Sequence, residues 1–199
     1  MSDTANGRRW RTDSGGEPAL QVALFTHDWM TDSARSIVAV RCAPRMHSAP
    51  TMYQPRTRHY DKRDMVKRWA LPNRVFFACG ACHILAFAFL ERYGRPGMRA
   101  LWIKPAPGHT GSHIFVEFEN RIFDYHGYSQ LDRYLTRYFR RAQQRYPGWD
   151  ASIIELPADV LVSERKSRMY DGLWLREPAQ FLHDALPRAR AFLSRFPVP

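Results

Sequence analysis

Cys79-Gly80-Ala81-Cys82-His83 sets two thiols and an imidazole within five residues, directly ahead of the apolar run Ile84-Leu85-Ala86-Phe87-Ala88-Phe89-Leu90. Three chemistries use these residue types at this spacing. Cys79, Cys82 and His83 match the Cys-x-x-Cys-His pattern of covalent haem attachment. Cys79 and Cys82 match a dithiol redox pair, in which a helix start and a neighbouring thiol lower the thiol pKa. Cys82 alone, at a helix N-terminus, matches an activated nucleophile, because the helix dipole and free backbone N–H groups stabilise a thiolate and a developing oxyanion.

A nucleophilic cysteine also needs a base and a third group that orients the base. His113-Ile114-Phe115-Val116-Glu117-Phe118, then Glu119-Asn120, then Arg121-Ile122-Phe123-Asp124-Tyr125-His126 reads as a β-hairpin with a two-residue turn. That turn sets Phe118 opposite Arg121, Phe115 opposite Asp124 and His113 opposite His126. Directly opposed residues share a face, so His113 and Asp124 become diagonal neighbours on one side of the sheet. Ile114, Val116, Phe118, Phe123 and Tyr125 cover the other. Asp124 is the preferred orienter, because a carboxylate stabilises imidazolium; His126 is the alternative.

The other chemistries use less of the chain. Haem attachment follows export, and no apolar signal core follows Met1-Ser2-Asp3-Thr4-Ala5-Asn6-Gly7. A thioredoxin-like redox site needs a βαβ unit that residues 43–72 do not supply, although Phe76-Phe77 suits the end of a preceding strand. A zinc site from Cys79, Cys82, His113 and His126 fits by ligand type alone. No metal and no cofactor is expected.

The elements that must hold these groups follow from periodicity. An all-round apolar segment from about Ala81 to Tyr93, stopped by Gly94, reads as a buried central helix. Residues 100–103 read as a strand, and 104–111 as a Pro/Gly loop. Leu131, Tyr134, Leu135, Tyr138, Phe139 and Ala142 recur at helical spacing behind a capping-box-like Ser129-x-x-Asp132. Residues 21–25 and 36–40 read as strands, 44–58 as a surface loop and 60–71 as a short helix halted by Pro72. A closing helix over 179–196 is interrupted near Pro187. Residues 1–17 read as a flexible arm ahead of one domain over 18–199.

Cys79-Gly80-Ala81-Cys82 before an aromatic-rich helix resembles the Cys-Gly-Ser/Ala-Cys-Trp sequence around the papain nucleophile, with His83 where Trp or Tyr usually stands. The order of cysteine at a helix start, histidine on a strand and aspartate on the next strand is more similar to the transglutaminase-like branch of that superfamily. The resemblance covers about residues 73–128. It implies an α+β fold with a papain-like or transglutaminase-like core, the Cys82 helix packing on an antiparallel sheet that contains 100–103, 113–118 and 121–125. It implies Cys82 as nucleophile, His113 as general base and acid, Asp124 as orienting carboxylate, and a peptide or other amide- or ester-containing substrate. Papain-like enzymes carry an upstream Gln for the oxyanion. Phe76 stands at that place, which leaves the Gly80-Ala81 backbone, Asn73 and Gln54 as candidates.

The chain has 199 residues, 45% of them hydrophobic, enough for one ordinary core. Its formal net charge is +11, almost all from arginine, with only Lys62, Lys67, Lys104 and Lys166 as lysines. A basic balance permits contact with nucleic acid without requiring it. Arg133, Arg137, Arg140 and Arg141 form a stripe on the outer side of the 131–142 helix, but Tyr134 and Tyr138 fall on its apolar side, away from any stacking role. No apolar run reaches the 18 residues of a membrane span, and three cysteines (Cys42, Cys79, Cys82) without a leader suit a reducing, cytoplasmic setting.

Overall fold

A computed structural model describes residues 63–199 and the two-residue strand Arg8–Arg9. The expected strands at 21–25 and 36–40, the loop at 44–58, Gln54 and Cys42 lie outside the described residues. The architecture is α+β, built on an antiparallel sheet: β1 (Arg8–Arg9), β2 (Arg99–Pro105), β3 (His113–Phe118), β4 (Arg121–Asp124), β5 (Gly127–Gln130) and β6 (Ala151–Leu156). Their order across the sheet is β1-β6-β2-β3-β4-β5. Arg8-Arg9, inside the segment read as an arm, pairs with Ile153 and Ser152 at the β6 edge.

The β3–β4 hairpin has the expected register, with Phe118 opposite Arg121 and Val116 opposite Phe123. Glu119 and Asn120 both take positive φ, 48° and 58°, as a two-residue turn matching strand twist requires. Period-two alternation then divides the sheet. Ala100, Trp102, Ile114, Val116, Phe118 and Phe123 join one core; Leu101, Ile103, Phe115 and Ile122 join another.

Three helices line the first side: α1 (Met65–Trp69), α2 (Asn73–Ala78) and α3 (Cys82–Tyr93). Helix α3 begins at Cys82, and its Ile84, Leu85, Ala86, Ala88 and Phe89 are buried. Gly94 ends it: a Cβ there would lie 2.3 Å from the Leu90 carbonyl oxygen, so only glycine lets the chain leave at that angle. Phe76 and Phe77 do not end a strand. They are buried inside α2, Phe76 packing edge-on to Trp69 and Phe77 stacking on Phe192. The cysteine motif is therefore a turn between two helices rather than a strand-to-helix junction.

On the other side α4 (Leu131–Arg145) lays Tyr134, Leu135 and Phe139 over the second core, beside Trp149. Its start differs from the expected capping box. Ser129 belongs to β5, and Gln130 stands at the N-cap without a side-chain bond. Strand pairing with β4 claims the backbone of 127–130 before the helix can begin. Helices α5 (Glu164–Ser167) and α6 (Ala185–Leu193) complete the fold. Pro187 does not interrupt α6. Asp184 caps the helix, so Pro187 falls in the first turn, where no intrahelical donor is required.

Candidate functional site

The turn before Cys82 is held from below. Gly80 has φ +100°, and its carbonyl accepts from the buried Arg68 guanidinium at 2.7 Å. A Cβ on Gly80 would approach that guanidinium nitrogen to 3.0 Å. Arg68 also lies over the Phe181 ring, 4.6 Å from its centre. Ala81, fully buried, occupies the N-cap of α3 and offers no side-chain acceptor to the first turn. Cys82 follows as the first helical residue, half-buried, at the positive end of the helix dipole.

His113 opens β3 and Asp124 closes β4, both on the sheet face toward α4. His113 Nε2 donates to Asp124 Oδ2 at 3.1 Å. That bond turns Nδ1 away from the carboxylate, and the imidazole lies close enough to the Cys82 thiol for each to shift the other's pKa. The second carboxylate oxygen, Oδ1, accepts from the His126 backbone N–H at 2.8 Å and from His126 Nδ1 at 3.0 Å. Tyr134 Oη donates to Oδ2 at 3.0 Å. Asp124 is buried, yet side chains and backbone meet it on both oxygens, as a buried carboxylate requires.

Burial pushes the Cys82 thiol up, but the bonds from His113 and His83, together with their charge, outweigh it and bring its pKa down to about 5. Burial likewise opposes charge on His113, while Asp124 and then Cys82 raise it to about 9. Burial opposes ionisation of Asp124 too; the bonds from His113 and His126 still hold it well below the usual carboxylate range. Both directions for Cys82 and His113 describe one state at neutral pH: a thiolate beside an imidazolium. Tyr125, Tyr134 and Tyr138 are all pushed above the ordinary phenol value, by burial first and then by the nearby negative charge, so they stay neutral donors.

The fold thus brings Cys82 near the hydrogen-bonded pair His113 and Asp124, with Gly80 and Ala81 in the turn beneath the thiol. His126 reaches the carboxylate that holds His113, its Nδ1 lying 3.0 Å from Oδ1 and 3.1 Å from Oδ2. Asn73 is turned to another task. It starts α2, at the end remote from Cys79, and its Oδ1 accepts from Arg188 Nε at 2.9 Å. Arg188 also reaches the carbonyls of Trp69 and Leu71, tying this corner to α6. Cys79 and Cys82 are not joined in a disulfide. Among the described residues no group of three or more His, Cys, Asp or Glu side chains is arranged for a metal ion, so Cys79, Cys82, His113 and His126 do not form one. Glu117, two residues along β3 from Phe115, is buried and accepts from Arg99 Nε at 2.6 Å.

Two contributors, Tyr134 and Tyr138, belong to no catalytic motif. They belong to an amphipathic stripe whose aromatic members look like packing. His83, buried, donates through Nε2 to the Arg176 carbonyl at 2.9 Å, a partner 93 residues away in sequence. The i, i+4 tyrosine pair was visible in α4, but only the sheet shows that its hydroxyls meet the His113 neighbourhood. No family model, curated protein or solved structure matches the chain. No helix among the described residues is long and apolar enough to cross a membrane.

Proposed function

We propose that the protein catalyses thiol-dependent acyl transfer or hydrolysis on an amide or ester, on a papain-like or transglutaminase-like core. The observation that carries this reading is the shared imidazole. His113 lowers the pKa of the helix-start Cys82 on one side, and through Nε2 bonds the buried Asp124 at 3.1 Å on the other.

In this reading the Cys82 thiolate attacks the substrate carbonyl carbon, and the carbonyl π electrons move to oxygen. The oxyanion develops at the start of α3, where the Cys82 and His83 N–H groups precede the first intrahelical bond, Ile84 N–H to the Ala81 carbonyl at 3.1 Å. The imidazolium of His113 gives its Nδ1 proton to the departing amine or alkoxide, leaving a thioester on Cys82. Water or an amine then loses a proton to His113 as it attacks the thioester, and the thiolate leaves. Asp124 holds Nε2–H throughout, so the nitrogen facing the thiol is the one that exchanges protons.

The test uses the full chain and p-nitrophenyl acetate as an acyl donor. Acetylation of Cys82, seen by mass spectrometry of a trapped digest, with nitrophenol release that is absent in Cys82→Ala, supports the reading. Equal nitrophenol release from wild type and Cys82→Ala would refute it.

A further inference from the structure

The loop that delivers His113 has no regular structure of its own. Residues 106–112 contain Pro107, Gly108 and Gly111, and connect β2 to β3. Its last three residues are nevertheless each held by an aromatic donor. Trp149 Nε1 donates to the Thr110 carbonyl at 2.7 Å, Tyr138 Oη donates to the Gly111 carbonyl, and Trp102 Nε1 donates to Ser112 Oγ at 2.8 Å. Both indoles are almost wholly buried. Tyr138 makes a second contact: its ring stacks on the His113 imidazole, 6.0 Å between centres at 16°. Tyr134, one helical turn earlier, bonds the carboxylate that holds the same imidazole.

We propose that Tyr138 and Trp149 are positioning residues that set the His113 ring against the thiol, acting through the Thr110-Gly111 backbone and the stacked phenol. The proposal rests on the thiolate reading of Cys82 for its catalytic meaning, though not for its geometry. Two carbonyls immediately before β3 are fixed from α4 and from Trp149, so the strand enters with one rotation available to its first side chain. The phenol face also lies against a ring that carries positive charge in the thiolate–imidazolium state, an arrangement that favours the cation. Amphipathic packing alone does not account for the donor groups, because it needs apolar ring surface and not the Tyr138 hydroxyl or the Trp149 indole N–H.

The experiment compares Tyr138→Phe, Tyr138→Leu and Trp149→Phe with Leu135→Val, a change in the buried core on the same helix as Tyr138. Two quantities are read on full-length folded protein: the His113 titration midpoint by NMR, also in a Cys82→Ala background, and the pH profile of Cys82 alkylation. Loss of one clamp hydrogen bond is expected to slow alkylation at pH 6 about fivefold. Tyr138→Leu is expected to do so more strongly and to lower the His113 midpoint. Leu135→Val is expected to lower thermal stability and leave both profiles in place. Clamp variants whose His113 midpoint and alkylation profile overlay those of Leu135→Val overturn the proposal. A His113 midpoint that moves in the Cys82→Ala background, with a wild-type thiol of ordinary reactivity, supports the clamp and removes the acyl-transfer reading instead.

Discussion

Tyr134 Oη and His113 Nε2 donate to the same oxygen, Asp124 Oδ2, at 3.0 and 3.1 Å. One carboxylate oxygen thus ties α4 to the first residue of β3, in a place closed to solvent. Tyr134→Phe keeps the ring and removes one donor to a buried charge, a loss of about 2 kcal/mol in unfolding free energy. Urea titration at pH 7 measures it. With fewer donors the Asp124 carboxyl is less depressed. Its stabilising contribution, present above the ordinary carboxylate range and lost as pH falls, becomes smaller, so acid unfolding of the variant is expected at higher pH than in wild type.

The thiolate–imidazolium state predicts an alkylation profile. In a Cys79→Ser background, iodoacetamide should modify Cys82 with a midpoint near pH 5, the value to which the thiol is lowered. His113→Ala removes the largest favourable contribution and leaves burial opposed only by His83, so the midpoint should rise toward the ordinary thiol range, about pH 8.5. Rate against pH for both proteins decides. A wild-type midpoint above pH 8 contradicts the ion pair.

The pair also shapes stability against pH. His113, raised from 6.5 to about 9, stabilises the fold below pH 6.5 and loses that contribution as pH rises to 9. Cys82, lowered from 9.0 to about 5, contributes fully above pH 9 and loses its contribution as pH falls to 5. Between pH 6.5 and 9 the folded pair holds one proton, on the imidazole, and the unfolded pair holds one, on the thiol. The two slopes cancel there, and the pair adds a flat segment. Cys82→Ala removes one slope, so its stability should fall with rising pH across that window, relative to wild type. Denaturation midpoints at four or five pH values reveal whether the two curves diverge.

Gly80 sets the turn beneath the thiol. Gly80→Ala places a side chain at φ +100° and brings its Cβ to 3.0 Å from the Arg68 guanidinium. The expected cost is about 1–2 kcal/mol from the backbone conformation alone. Calorimetry of the variant, with alkylation of Cys82 measured in parallel, tests both consequences. A stability unchanged within error would mean that the turn does not need this conformation.

Much of this was legible in the residues. The β3–β4 hairpin could be registered from its Glu119-Asn120 turn, because side-chain parity in a strand is fixed and a two-residue loop leaves one pairing. That parity set His113 and Asp124 on one face before any coordinates. The all-round apolar run marked α3 and so put Cys82 at its start. Local chemistry was less reliable where two elements competed for the same backbone: Ser129 looked like a helix cap and became a strand residue through pairing with β4, and Phe76-Phe77 suited a strand but packs as helix against α6. Only the tertiary structure decided what surrounds the chain of hydrogen bonds. From α4 Tyr134 reaches the Asp124 carboxylate and Tyr138 the His113 ring, Trp149 reaches the Thr110 carbonyl, Arg68 and Gly80 meet across 12 residues, and His83 finds the Arg176 carbonyl 93 residues on. Sequence periodicity reports which face of an element is buried; it carries no information on which distant hydroxyl or carbonyl that face will meet, and those meetings hold the charge on Cys82, His113 and Asp124.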